Sequence, residues 1–339
     1  MNTGWVLILL TSFVAASFLT WMVRRHAIST RLMDVPTERS SHAVPTPRGG
    51  GLAIVAVVLL VLPWLWLHDG IATSALIGWF GAGAAVATVG WLDDRQHLPA
   101  RWRLLVHFVA AGWAIFWLGG LPPITLLGWD VHFGWLGYPV AAFYLVWLLN
   151  LYNFMDGIDG IAGIEAITVG LGAALVSWLA FPDSSAWMAP VAVAAAAAGF
   201  LVWNFPLPRI FMGDSGSGFL GVTFGILSVQ AGWLAPELFW AWIILLGVFF
   251  VDATVTLLRR LLRGERVYEA HRIHAYQHAA RRLDSHVPVS LAIGTINLLW
   301  LLPVAVVVTV GASDGSTAVL VAYAPLVVLA FWMGAGSAD

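Results

Sequence analysis

Gly4-Trp-Val-Leu-Ile-Leu-Leu-Thr-Ser-Phe-Val-Ala-Ala-Ser-Phe-Leu-Thr-Trp-Met-Val23 runs without one charged side chain and ends on Arg24-Arg25. A helix of about 20 apolar residues crosses a hydrocarbon layer of ~30 Å. Basic residues that follow such a run, instead of preceding it, mark an uncleaved first span whose N-terminus lies outside. The same pattern recurs along the chain. Of 339 residues, 60% are hydrophobic and 10% charged, and the mean hydropathy is +0.86. Soluble proteins are usually about 45–50% apolar and about 25% charged. These numbers exclude a water-soluble globule and predict an all-α, polytopic membrane protein built as one unit over residues 1–339. With no Cys, disulfides, iron–sulfur clusters and thiol nucleophiles are excluded.

Eleven apolar runs, or ten under a stricter cut, lie near 4–23, 51–67, 71–91, 103–119, 138–155, 161–181, 187–203, 217–233, 236–258, 289–311 and 317–335. Alternate threading puts the connections 24–50, 92–102, 156–160, 204–216 and 259–288 on one face. All 16 basic residues are Arg, and each falls in or within a turn of those connections. The opposite face carries Asp69, Asp130, Asp183, Glu237 and Asp314 instead. Positive charge is retained in the cytoplasm, so the arginine face is expected to be cytoplasmic. The 20 Trp suit interfacial belts.

Costly polar residues gather on that same face. Asp93-Asp94-Arg95 ends the third run. Adjacent carboxylates repel and resist desolvation, so they suit a hard cation or a proton transfer, or form a solvated pair facing Arg95 and Arg101. Asn150, Asn153, Asp156 and Asp159 recur every third residue beside Gly157, Gly160 and Gly163. Acids between apolar spans call for a metal or a cation from elsewhere; a capping turn is the plainer account. Gly213-Asp-Ser-Gly-Ser-Gly218 opens the eighth run. A glycine-rich helix start with Asp214 and Ser215 suits phosphate and a divalent cation, or simple N-capping. The string GDSG also surrounds the serine of chymotrypsin-like proteases, but those are soluble, disulfide-rich β-barrels.

The long loop Arg259–Arg282 carries seven Arg, with His274 and His278 at i,i+4. Arg266, His271, Arg272 and His278 are candidates for holding a nucleotide pyrophosphate; lipid contact and charge retention account for other arginines. A zinc site lacks a third soft ligand. Asp252, about two turns inside the preceding run, needs a partner. Pro45-Thr-Pro-Arg48-Gly49-Gly-Gly51 enters the second run as an anion nest or as helix-start punctuation.

Taken in order, DVPTERSSHAVPTPRGGGLAI, GWLDDRQHLPARWR, NLYNFMDGIDGIAG, WNFPLPRIFMGDSGSGFLG and RRLLRGER resemble the polyprenyl-phosphate N-acetylhexosamine-1-phosphate transferases, which include the phospho-N-acetylmuramoyl-pentapeptide transferases. The resemblance implies a cytoplasmic cleft for a UDP-sugar, Mg²⁺ (with Mn²⁺ as substitute) and a polyprenyl phosphate entering from the bilayer of a bacterial inner membrane. Nucleic acid is not an expected partner, and a homodimer is compatible. By position, Asp93, Asp94, Asp156, Asp159 and His274 match the catalytic set, and Asp214 with Asn153 the metal site. Arg48, Gly49, Asn150, Ser215, Arg266, His271, Arg272 and His278 are the substrate-binding candidates. Many relatives carry HIHH where this chain reads His274-Ala-Tyr276-Gln277. That departure resembles the branch that begins O-antigen synthesis with a 6-deoxy-HexNAc. The competing readings are the wall-precursor transferase and, in another class, a secondary transporter, which would carry acids near the midplane and paired halves.

Overall fold

The computed structural model describes residues 3–36, 44–96, 98–265 and 272–337. Its helices are α1 (Thr3–Ser29), α2 (Leu52–Leu67), α3 (Thr73–Gln96), α4 (Ala100–Leu118), α5 (Gly137–Met155), α6 (Ile161–Ala180), α7 (Met188–Asn204), α8 (Asp214–Leu234), α9 (Pro236–Leu245), α10 (Gly247–Leu262), α11 (Ala275–Leu283), α12 (Val287–Ile296), α13 (Leu302–Thr309) and α14 (Gly315–Met333). Two antiparallel ribbons accompany them, β1 (Met33–Asp34) with β2 (Thr46–Pro47) and β3 (Ile124–Leu126) with β4 (Trp129–Val131).

The chain is an all-α polytopic membrane protein. Among the described residues helices occupy every expected run, and they form seven segments long and apolar enough to cross a membrane by length and composition, one of them α12 with α13, or eight if α9 and α10 count as one bent span. The run expected at 236–258 is instead two helices, α9 and α10, bent by 67° at Leu246. α2 and α7 are shorter apolar helices, and α4 carries Arg101 and Arg103 in its first turn. Between α12 and α13 the backbone widens to a π-turn over Asn297–Leu301, just before Pro303. Proline cannot supply a helix N–H, and such a widening absorbs the lost bond.

Burial follows from the sequence. α8 is buried on all sides from Ser215 to Val229, as a helix without a polar face must be. α3, α5, α2 and α4 pack around it, while α1 packs on α7 and α7 on α6. Peripheral helices expose large aliphatics, among them Leu60 at 74%, Leu299 at 74% and Val328 at 68%, which only a lipid environment tolerates in such number. Small residues set the closest approaches. A side chain at Gly199 would meet the Phe13 carbonyl at 2.3 Å, and one at Gly221 the backbone of Leu148 and Leu149 at 2.7 Å. Membrane helices associate through contacts of this kind because lipid is as apolar as leucine.

Candidate active site

The site begins as a backbone frame. β2 runs into α2, and on the way Phe211 N–H donates to the Pro47 carbonyl at 2.8 Å. Gly50 N–H and Gly51 N–H donate in turn to Phe211 O and Met212 O, each at 2.8 Å. Arg48 sits inside this pairing, its own N–H on Leu32 O at 3.2 Å. The glycines make it possible: a Cβ on Gly51 would lie 2.4 Å from the Gly216 Cα. Gly213, at φ +78°, turns the chain into α8, so Asp214 becomes the first helical residue.

The acid pair ending α3 meets that helix start. Asp94 accepts the Asp214 N–H at 3.0 Å and the Ser215 N–H at 3.4 Å, capping α8 from a different helix. Its Oδ1 also takes Arg48 Nε at 2.7 Å. Arg48 Nη2 lies 2.7 Å from Asp214 Oδ1, so one guanidinium bridges two carboxylates. Asp93 accepts the Leu98 N–H at 2.6 Å and Arg103 Nη1 at 2.5 Å, and that same nitrogen is 3.4 Å from Asp214 Oδ2. The α8 amides expected to face a phosphate are therefore already used: the next two, of Gly216 and Ser217, return to the Gly213 carbonyl. Ser215 is fully buried, with its hydroxyl 3.4 Å from Asp94.

In front of this cluster lies a cavity of about 210 Å³, walled by Arg48, Asn153, Asp156, Asp159 and Asp214, together with Asp34, Gln277 and His286. Four carboxylates thus face one guanidinium. Burial and then the Asp214 carboxylate hold the Asp156 carboxyl well above the usual carboxylate range. Asp159 is paired with His286 Nδ1 at 2.7 Å. Among the described residues no three His, Asp or Glu side chains converge closely enough to cage a metal alone. Mg²⁺ usually takes one or two protein carboxylates and fills its shell with water and substrate phosphates. The oxygen donors Asp214, Asn153 and Asp156 on one wall are suited to it. Ser217 Oγ, at 3.3 Å, donates to Asn153 Oδ1.

The other expected residues are placed differently. Gly49 lies in the Arg48 turn at φ +97°, outside the cavity wall. Asn150, a turn earlier on α5, returns its amide to the Val146 carbonyl at 2.7 Å. His274 is 2% exposed, with Nδ1 3.4 Å from Asp252. Asp252 also accepts the Ala275 and Tyr276 N–H groups at 2.9 and 3.0 Å. The acid inside α10 thus finds its partner in the start of α11, and His274 locks that junction without lining the cavity. His278 is buried beside Arg281, 3.0 Å away. Tyr276, at the departure from HIHH, donates to the Phe154 carbonyl at 3.0 Å and packs against Gly157. Arg272 lines an adjoining cavity of about 410 Å³ with Arg281 and His286. Arg266 and His271 lie outside the described residues.

Arg103, Asp34 and His286 were not among the expected site residues. Arg103 read as one more cytoplasmic charge, and no spacing links Asp34 or His286 to the acidic motifs.

Comparison with known proteins bears on this arrangement. Residues 76–232 match the profile of glycosyl transferase family 4. The chain is 31% identical over 280 residues to the probable undecaprenyl-phosphate N-acetylglucosaminyl 1-phosphate transferase of Bacillus subtilis, covering 80% of this chain and 76% of that protein. It is 28% identical over 327 residues to the decaprenyl-phosphate N-acetylglucosaminephosphotransferase of Mycobacterium tuberculosis H37Rv, covering 84% and 78%. A phospho-N-acetylmuramoyl-pentapeptide-transferase of Synechococcus elongatus is 33% identical over 195 residues, or 52% and 50% of the two chains. The chain belongs to glycosyl transferase family 4 and is a membrane-embedded sugar-phosphate transferase.

Proposed function

We propose that this enzyme transfers a HexNAc-1-phosphate from a UDP-sugar to undecaprenyl or a related polyprenyl phosphate, releasing UMP, at the cytoplasmic face of a bacterial inner membrane. The carrying observation is the cavity in which four carboxylates meet one guanidinium at the arginine-rich end of the bundle. A divalent cation would let a diphosphate sit beside these carboxylates, and Asp214, Asn153 and Asp156 would hold it. When bound, Mg²⁺ supplies charge neutralisation to the pyrophosphate. Arg272 and Arg281 of the adjoining cavity offer positive charge to the donor.

An oxygen of the lipid phosphate attacks the sugar-bearing phosphorus; the P–O bond to UMP breaks, and UMP leaves with the electron pair. Neither Asp93 nor Asp94 has to take a proton. Both oxygens of each are already engaged, Asp94 by Arg48 and α8, Asp93 by Arg103 and Leu98. A phosphate monoester with a second pKa near ~6 is mostly ionised at neutral pH without help. The pair's work is to hold Arg48, Arg103 and the start of α8. Asp94→Asn should therefore lower the rate while keeping every limb of the pH–rate profile. Disappearance of one limb would instead make Asp94 the base.

The N-acetylglucosamine-type relatives align over 76% and 78% of their length and the muramoyl-pentapeptide relatives over 50% to 66%, which favours a small HexNAc donor. The product would begin a lipid-linked envelope glycan such as an O-antigen. Labelled UDP-GlcNAc, UDP-FucNAc, UDP-QuiNAc and UDP-MurNAc-pentapeptide, each with polyprenyl phosphate and with or without Mg²⁺, form the deciding panel. We expect UMP from a HexNAc donor, lost on chelation and restored by Mg²⁺ or Mn²⁺. Turnover undiminished by chelation would sink the cation site, and turnover only with the pentapeptide donor would reassign the substrate.

A further inference from the structure

Behind the carboxylate cluster lies a second, much smaller cavity of about 10 Å³, walled by Asp93, Arg103, His107, Asn153 and Asp214. His107 follows Arg103 by one helical turn on α4, so both side chains leave the same face. It is 6% exposed, and its Nδ1 has no hydrogen-bond partner among the described residues. Buried imidazole nitrogens are normally satisfied, and an orphan beside charged groups is costly. A polar space of roughly 10–15 Å³ with two to four polar partners holds one water.

We propose that His107 holds a single ordered water in this cavity, and that this water braces Asn153 and Asp214 from behind. His107 is thereby a positioning residue for the cation ligands. The inference rests on the transferase reading of the larger cavity. A cation is the wrong occupant, because the Arg103 guanidinium lines the same space and is already 3.4 Å from Asp214 Oδ2. The space is too small for any organic group. One water can serve His107, Asp214 and either Arg103 or Asn153 together. It donates one proton to His107 Nδ1 and the other to the Asp214 carboxylate, and accepts from Arg103 or the Asn153 amide. Asp214, which already meets Arg48, Arg103, Asp93 and Asn153, gains from the water one more donor on the side facing His107. Asn153 Oδ1 is held by Ser217, its amide donates to Asp214, and its second N–H is left for the water. Partners behind the ligands of a metal commonly change its affinity by about 10–100-fold when removed.

The test compares wild type, His107→Leu and His107→Gln as full-length protein in detergent. Mg²⁺ alone is titrated against thermal unfolding, and UMP release is then measured against Mg²⁺ and UDP-sugar. His107→Leu should raise the half-saturating Mg²⁺ about tenfold in both assays, with the UDP-sugar KM at saturating Mg²⁺ unchanged. His107→Gln, which still offers a hydrogen bond to the water, should stay near wild type. An unshifted Mg²⁺ midpoint in His107→Leu, equal losses in both variants, or no stabilisation of wild type by Mg²⁺ overturns the brace. If His107→Leu does not fold, an experimental wild-type map decides: density for a water within hydrogen-bond distance of Nδ1 supports it, and a dry cavity overturns it. Wild type that binds Mg²⁺ but releases no UMP from any donor defeats the transferase reading while leaving the brace standing.

Discussion

Asp214→Ala should lose at least about 10³-fold in turnover while the protein still folds and inserts. The two halves of this expectation come from the same contacts. Arg48 and Arg103 both touch Asp214, yet each has a second carboxylate, Asp94 at 2.7 Å and Asp93 at 2.5 Å. Removing Asp214 therefore strands neither guanidinium, and the backbone N–H of residue 214 still reaches Asp94. Stability should change little, because the penalty for breaking a buried pair arises when a charge is left uncompensated. Chemistry is different. Asp214 is the carboxylate that meets both arginines and also lines the open cavity. UMP release in detergent, set beside thermal unfolding of the same preparation, separates the two effects. Mg²⁺-dependent turnover surviving in Asp214→Ala would remove it from the metal site.

Gly90→Ala should damage both stability and activity, for a reason that no contact of the side chain itself reveals. A Cβ at Gly90 would stand 2.6 Å from the Asp214 carbonyl carbon and oxygen and 2.6 Å from the Ser215 Cα. Those are backbone atoms of a helix buried on all sides, so α3 must move away from α8. Overpacking of this kind typically costs about 1–3 kcal/mol. The displacement also draws Asp94, one turn along α3, off the start of α8, so activity should fall further than stability alone explains. Gly112→Ala is the control, since nothing lies within 4 Å of its added methyl. In a helix that exchange gains roughly 0.5–1 kcal/mol. If Gly90→Ala melts and turns over like Gly112→Ala, the close approach of α3 and α8 is not what holds the site.

Much of this was legible before any coordinates. Apolar runs place helices because a segment with no water around it must satisfy its own backbone. The five quoted stretches carried the family resemblance, and four of them contribute to the site: Arg48, the Asp93–Asp94 pair, the Asn153–Asp159 stretch and Asp214. The roles inside that set were less legible. Asp94 read as half of an acid pair suited to a cation or a proton transfer; the fold adds that it caps α8 and holds Arg48. His274 read as a member of the catalytic set, and in the fold it lies against Asp252. In both cases the partner lies far away in sequence, and only packing discloses which oxygen is already taken.

From composition and order alone, the chain was committed to a helical membrane bundle, because apolar runs of about 20 residues satisfy their own backbone in lipid as helices. Tertiary structure alone decided that Arg103, Asp34, His286 and His107 join the site, that α9 and α10 bend, and that four carboxylates share one cavity. Those outcomes depend on which glycine lets two backbones touch, a matter of distances of a few ångströms that no linear pattern encodes.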